Sequence, residues 1–296
     1  MKVRIGVGLS AGSAEDTDSF ASTVLEMERR GFDSLWLSDV LTGQVVDPLT
    51  GLAFAAGVTR KLKLGTTLAV TGRNPFRLAK ELATVDQLSR GRLLVVFVPG
   101  LADAWEDQAL GVPAADRGAV IEEVLPLLRR LWAGEEVDHS GRRFTYRGVR
   151  LHPRPAQQPL EVWLGGTARS ALRRAGELSE GWLPSLCTPE EAARGREAIE
   201  EVAVQRGRQV DPEHFGVSLA YARDAIPAQQ VATIATRRPG VDPAPLVPVG
   251  YPALRNRLEQ FIAAGFSKFV LRPAERPSSW PAELDSLAQA VLPLQT

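Results

Sequence analysis

The sequence predicts an α/β fold, a (β/α)8 TIM barrel, and three observations predict it. Eight short apolar runs occur along the 296 residues, and each is followed by a stretch whose apolar side chains fall at helical spacing. Strict alternation of strand and helix requires parallel strands covered by helices, and eight strands favour a closed barrel over the alternative, an open doubly wound sheet. The third observation is an internal echo. Residues 28–38 (ERRGFDSLWLS) and 263–273 (AAGFSKFVLRP) both run helix, Gly-Phe, polar residue, buried strand, and read as equivalent units. Residues 1–296 are expected to form one domain.

Taken in order, residues 3–9 form the first strand, and residues 16–30 carry Phe20, Thr23, Val24 and Met27 on one helical face before Gly31 ends the helix. A strand at 34–38 precedes a helix at 48–59 opened by Pro48, and a third strand at 62–69 precedes a helix at 75–89. The fourth unit is a strand at 93–98 and a helix at 117–133. Residues 137–158 then interrupt the pattern as an inserted hairpin and proline-rich return before the fifth strand. Strand and helix resume at 160–164 and 168–178, 181–186 and 189–206, then 215–221 and 227–236. Residues 237–251 contain Pro239, Pro243, Pro245 and Pro248, so they read as a long loop before the eighth strand, of the kind that often serves as a lid. A helix at 252–264, a strand at 268–271 and a helix at 281–292 complete the chain.

Composition narrows the function. With 35 basic and 35 acidic side chains the formal net charge is zero, so no global field gathers nucleic acid or anionic membrane. Cys187 is the single cysteine, which excludes an internal disulfide, and no motif supplies a metal site. The N-terminal apolar run is too short for a signal segment and no run approaches a membrane span, so a cytoplasmic location is expected.

In a barrel of this kind chemistry gathers at the C-terminal ends of the strands. Those positions are Leu9 and Ser10, Ser38 and Asp39, Thr66 to Leu68, Val98 to Gly100, Gly165 to Thr167, Pro184 and Ser185, Tyr221, and Arg272. None of His139, His152 or His214 is among them. The turn Gly165-Gly166-Thr167 ends a strand at a helix N-terminus, where glycine lets an anion approach unsatisfied backbone N–H groups; the guest it suits is a phosphate. A mouth poor in acids and bases but equipped with such a turn suggests that a bound cofactor carries the chemistry.

Five segments carry a family resemblance: GFDSLWLSD (31–39), KLGTT (63–67), RNPFRLAKELATVDQLSRGRL (73–93), ALGVP (109–113) and VWLGG to GWLP (162–184). In order they resemble the bacterial luciferase-like superfamily of flavin- and deazaflavin-dependent barrel enzymes, particularly members using coenzyme F420. The resemblance implies that Gly165, Gly166 and Thr167 hold the cofactor phosphate. It implies a cis peptide at Thr67–Leu68 behind the cofactor ring, and a cofactor or substrate contact at Asp39, for which a capping role is the alternative.

Two departures stand out. Many relatives follow Ser-Asp with a histidine where this chain has Val40, and their fourth strand ends in a glycine-alternating run where this chain reads Val96-Phe97-Val98-Pro99-Gly100. Asp39 and Glu106 are the candidate replacements for proton transfer. The expected function is hydride transfer between F420 and a small organic substrate. The alternatives are an FMN-dependent monooxygenase and, from another class, a non-catalytic cofactor-binding barrel. The resemblance also implies a homodimer through the helices near the second and third strands, where Leu52, Phe54, Leu82 and Val85 serve either an interface or the subunit's own helix layer.

Overall fold

Strands form in this chain where apolar residues alternate between two buried faces, one turned to the surrounding helices and one to the barrel interior. The computed structural model describes residues 1–9, 17–41, 43–101 and 104–296. The first half runs β1 (Arg4–Gly8), α1 (Thr17–Arg30), β2 (Ser34–Ser38), α2 (Pro48–Val58), β3 (Lys63–Ala69), α3 (Pro75–Ser89), β4 (Leu93–Val98), α4 (Ala104–Leu110) and α5 (Arg117–Trp132). A hairpin of β5 (Val137–Ser140) and β6 (Thr145–Val149) follows. The second half runs β7 (Val162–Leu164), α6 (Arg169–Leu178), β8 (Gly181–Trp182), α7 (Pro189–Gln205), β9 (Gly216–Tyr221), α8 (Ala228–Arg237), α9 (Tyr251–Ala263), β10 (Lys268–Pro273) and α10 (Trp280–Val291).

Eight of these strands lie in the order β8-β7-β4-β3-β2-β1-β10-β9. Parallel bridges Trp182↔Phe215 and Ser185↔Ser218 join the two ends, so the expected (β/α)8 barrel closes, with its hairpin before the fifth barrel strand. Outward-facing Ile5, Leu35, Leu64, Val95 and Val217 join the helix-covered core. Inward-facing Trp36, Val96, Leu183 and Val270 form a separate apolar plug within the barrel. Glycines make room for it, because a Cβ at Gly65 would collide with the Trp36 indole and one at Gly181 with that of Trp163.

The echo seen in the sequence is structural. Gly31 and Gly265 both adopt positive φ, 85° and 87°, and the Phe after each returns its N–H to the preceding helix, Phe32 to Met27 O and Phe266 to Phe261 O. Each glycine thus ends a helix in a left-handed turn and delivers the next strand at the same angle. Ser38 and Arg272 occupy corresponding positions in the two units.

Several expectations need correction. The Thr67–Leu68 peptide is trans, because β3 stays in regular register with β4 through Thr67↔Val96, Leu68↔Phe97 and Ala69↔Val98. The segment after β4 holds a helix, α4, instead of only a loop. β8 spans two residues, since Leu183 onward bends away to meet β9. Ser10 and Asp16 lie outside the described residues. Of the helix-layer residues, Leu52, Leu82 and Val85 are buried within the subunit, while Phe54 remains exposed with its ring 5.8 Å from that of Phe20.

Residues 222–250 leave the barrel between β9 and α9 and fold back over its C-terminal end. Ala222, Ile234, Leu246 and Val247 form a small core of their own, packed against Leu186, Ala220 and Ala274 at the ends of β8, β9 and β10. This excursion comprises α8 and the proline-rich loop expected from the sequence.

Candidate active site

On the β2–β3 side of the mouth the charged groups are mutually satisfied, while the buried hydroxyls of Thr66 and Thr71 have no hydrogen-bond partner. Asp39 follows β2, donates its backbone N–H to Thr67 O, and accepts at Oδ2 from Ala69 N (3.2 Å) and Arg73 Nη2 (2.9 Å). Its side chain is 4% exposed, so the carboxylate is a latch between two strand ends. Inside the barrel Thr67 Oγ1 donates to Ser38 Oγ at 2.9 Å, and Arg272 Nη1 donates to the same oxygen at 3.4 Å. With Thr67 and Arg272 both donating to it, Ser38 Oγ keeps its own O–H available as a donor.

β7 ends in the glycine turn. Gly165 is buried, and a Cβ there would sit 2.8 Å from Val98 Cγ1; Gly166 adopts φ +99°, a conformation glycine accepts freely. The indole of Trp182 donates to Gly166 O at 2.9 Å and fixes the turn from below. Helix α6 then begins without a side-chain cap at Ala168, and its first bonds run from Ala171 and Leu172 N to Ala168 O. By contrast α2, α3, α7 and α10 are capped by Asp47, Asn74, Thr188 and Ser279. Thr167 and Ala168 open onto a cavity of about 380 Å³ whose far wall carries Arg194 and Arg238. A cradle closed to Cβ atoms, an uncapped helix end and two guanidinium groups, of which Arg238 is already paired with Glu191 on the same cavity wall, make a donor set suited to a phosphate.

Arg238 is itself anchored, donating to both Glu191 oxygens (2.8 and 2.7 Å) and to Leu186 O. The Arg238 hydrogen bonds hold the Glu191 carboxyl down at about 2, against the pull of its partial burial. That pair ties α7 to the start of the proline-rich loop.

The stems of the 222–250 excursion meet at one carboxylate. Glu283 of α10, fully buried, accepts from Tyr221 Oη (2.5 Å) and Tyr251 Oη (2.9 Å) at Oε1 and from Arg223 Nε (2.5 Å) and Nη2 at Oε2. Burial raises Tyr221's pKa and the neighbouring carboxylate raises it further, so both phenols remain proton donors. Burial works to lower Arg223, yet its hydrogen bond and charge pairing with Glu283 raise it in net.

Two sequence candidates are placed elsewhere. Glu106 lies in α4, 2% exposed, 2.6 Å from Nη1 of the buried Arg117, which also grips Asp107, Pro99 O and Leu101 O. Gly100 is what lets this pair tuck beneath the loop, for a Cβ there would lie 2.6 Å from Glu106 Oε2. Glu106 therefore braces the loop after β4. Leu68 faces the helix layer and is fully buried there, so its side chain does not line the mouth. Asp39, Thr67, Gly165, Gly166 and Thr167 do gather around the C-terminal end. Arg194, Arg238 and the buried hydroxyl of Ser218 were not legible as site residues, because no spacing pattern connects side chains that meet only through barrel closure.

Among the described residues no group of three or more metal-ligating side chains occurs, and no helix is long and apolar enough to cross a membrane.

A model of the luciferase-like monooxygenase family matches residues 1–285. The chain is 33% identical to an F420-dependent glucose-6-phosphate dehydrogenase of Beutenbergia cavernae over 67% of its own length and 60% of that relative's, so it spans somewhat under two thirds of that enzyme. It is 26% identical to limonene 1,2-monooxygenase of Rhodococcus erythropolis over 99% of this chain and 86% of that one. In fold it resembles an F420-dependent secondary alcohol dehydrogenase in complex with an F420-acetone adduct, with TM-score 0.84 at 20% identity and full coverage of both chains. It also resembles the long-chain alkane monooxygenase LadA, with TM-score 0.79 at 15% identity over 98% of this chain and 91% of that one.

Proposed function

The chain belongs to the luciferase-like monooxygenase family, and from that membership we propose that it is an oxidoreductase exchanging a hydride between coenzyme F420 and a small organic substrate at the barrel mouth. The observation that carries this reading is the Gly165–Gly166 turn, which opens on an uncapped helix end facing Arg194 and Arg238 across one cavity. Gly165, Gly166 and Thr167 would hold the phosphate through backbone N–H groups, with the two guanidinium groups screening its charge. A bound deazaflavin would supply two-electron hydride exchange without oxygen activation.

The chain's own residues orient and polarise. Thr67 and Arg272 fix Ser38 Oγ, so that its proton is offered to a substrate oxygen in the mouth. Val40, at the position relatives give to histidine, cannot titrate, and Asp39 is held by Arg73 and Ala69; the Ser38 hydroxyl, two residues earlier, is the donor that remains at this strand end. Asp39 acts by setting the ends of β2 and β3. The apolar plug of Trp36, Val96, Leu183 and Val270 closes the barrel beneath and excludes water from below.

The similarity to limonene 1,2-monooxygenase along nearly the whole chain favours a second reading, an FMN-dependent monooxygenase. Fluorescence titration with both cofactors separates the two. F420 binding without FMN binding supports the hydride-transfer reading, the reverse supports the monooxygenase, and binding of neither removes both. Gly166→Trp is expected to weaken cofactor affinity at least about 100-fold by filling the turn; unchanged affinity would overturn the phosphate assignment.

A further inference from the structure

One cation at the mouth has no counter-charge among the described residues. Arg272 faces the barrel interior at the end of β10, with its stem laid across β1, since a Cβ at Gly8 would sit 2.5 Å from its Cγ and 2.8 Å from its Cδ. Among the described residues its side chain bonds only Ser38 Oγ, at a long 3.4 Å, and no carboxylate lies within ion-pair distance. The two buried arginines of the described residues are paired, Arg117 with Glu106 and Asp107 and Arg174 with Glu122, whereas the half-buried Arg272 is not. Burial and, behind it, the proximity of Arg237 push Arg272 down to about 10. Arg237, at the end of α8, also has no carboxylate within ion-pair distance among the described residues.

A hydroxyl completes the set. Ser218 faces inward on β9, one inward position before Ala220, which pairs with Arg272 in the β9–β10 ladder. The residue is 6% exposed and its Oγ has no hydrogen-bond partner. Arg237 is exposed at the rim and Arg272 half-buried, so solvent screens their repulsion; the buried Ser218 hydroxyl with nothing to bond carries the cost of the empty mouth, and a bound oxyanion would serve all three.

We propose that Arg272, Arg237 and Ser218 form a subsite for the anionic group of the organic substrate, a carboxylate or a phosphate monoester. It lies on the β9–β10 side of the mouth, separated from the Gly165–Gly166 turn by β8. The lid-borne position of Arg237 couples occupation of this subsite to the excursion over the barrel. The inference rests on the reading of the mouth as the reaction site.

Thermal unfolding without cofactor tests it, with acetate and inorganic phosphate as probes against chloride at fixed ionic strength. The Gly166→Trp protein is used alongside the unsubstituted one, so that phosphate bound at the turn does not contribute. The expected result in both proteins is a rise in Tm of roughly 3 °C at about ten times the dissociation constant. A rise with acetate identifies the carboxylate class, and a rise with phosphate identifies the phosphate class. Arg272→Met should abolish the rise and, without anion, melt at or above the unsubstituted protein; Arg237→Ala should reduce the rise without lowering the baseline. An equal rise in Arg272→Met, no rise in the unsubstituted protein, or an Arg272→Met baseline well below it would overturn the subsite. F420 titration of the same samples keeps the two readings apart, because normal cofactor affinity with no anion response removes the subsite alone, and an Arg272-dependent response without cofactor binding removes the redox reading alone.

Discussion

The two sides of the barrel mouth handle charge in opposite ways. On the β2–β3 side Arg73 and Asp39 neutralise each other 2.9 Å apart, with Ala69 N–H as a third partner. On the β9–β10 side Arg272 and Arg237 face no carboxylate among the described residues, and Ser218 Oγ bonds nothing. The first side is neutral without a guest, although Thr66 Oγ1 and Thr71 Oγ1 there bond nothing either; the second is neutralised only with a guest. The difference shows how a barrel can be rigid and receptive at once: one arc of the rim locks the strands together, and the opposite arc holds unspent donors.

The comparison can be broken or sharpened by substitution. The largest effect is expected behind the receptive side, where Glu283→Ala would strand the buried Tyr221 phenol, the half-buried Tyr251 phenol and Arg223; a loss of about 3–5 kcal/mol in chemical denaturation is expected, with Glu283→Gln milder. Next, Arg73→Met leaves the buried Asp39 carboxylate with one N–H and should cost about 2–3 kcal/mol, much of it restored by adding Asp39→Asn. If Arg73→Met costs no more than Arg272→Met, the contrast between the two sides collapses.

A smaller effect is expected with pH. Glu191 is held at about 2 against 4.5 in the unfolded chain, so its contribution is fully present above 4.5 and fades as pH falls from there toward 2. Following Tm across that window should show a decline worth roughly 1 kcal/mol, allowing for solvent screening of this partly exposed pair, that is absent in Glu191→Gln. The smallest effect concerns Cys187, which lines the cavity beside the glycine turn yet is pushed up to about 12 by burial and by Glu191. A thiol reagent at neutral pH should leave it unlabelled and cofactor binding unchanged until the protein unfolds.

Much of the architecture was legible because each βα unit announces itself locally. The expected bounds of β2, α3 and β4 agree with the structure residue for residue, and Pro48, Pro75 and Pro189 mark helix starts that side-chain caps confirm. The Gly-Phe echo was legible for the same reason, since a left-handed glycine and a buried aromatic form a local device. What local pattern could not supply was partnership across the ring. Whether Glu106 faces the mouth or Arg117 depends on a buried arginine 11 residues on and on Gly100 leaving room for it. That Leu68 turns outward is fixed by register with β4, and that Arg272 meets no carboxylate among the described residues becomes visible only once the barrel is assembled. The family histidine's absence at Val40 was plain in the sequence; that Thr67 and Arg272 both donate to Ser38 Oγ was not.

Glu283 gathers both stems of the 222–250 excursion onto one helix behind the barrel. The segment is therefore delimited like an interchangeable cassette, with its own small core and a common fastening at its two ends. Relatives could exchange such a segment, and with it a different chemical taste for substrate, while the strands, the glycine turn and the plug beneath them keep their positions.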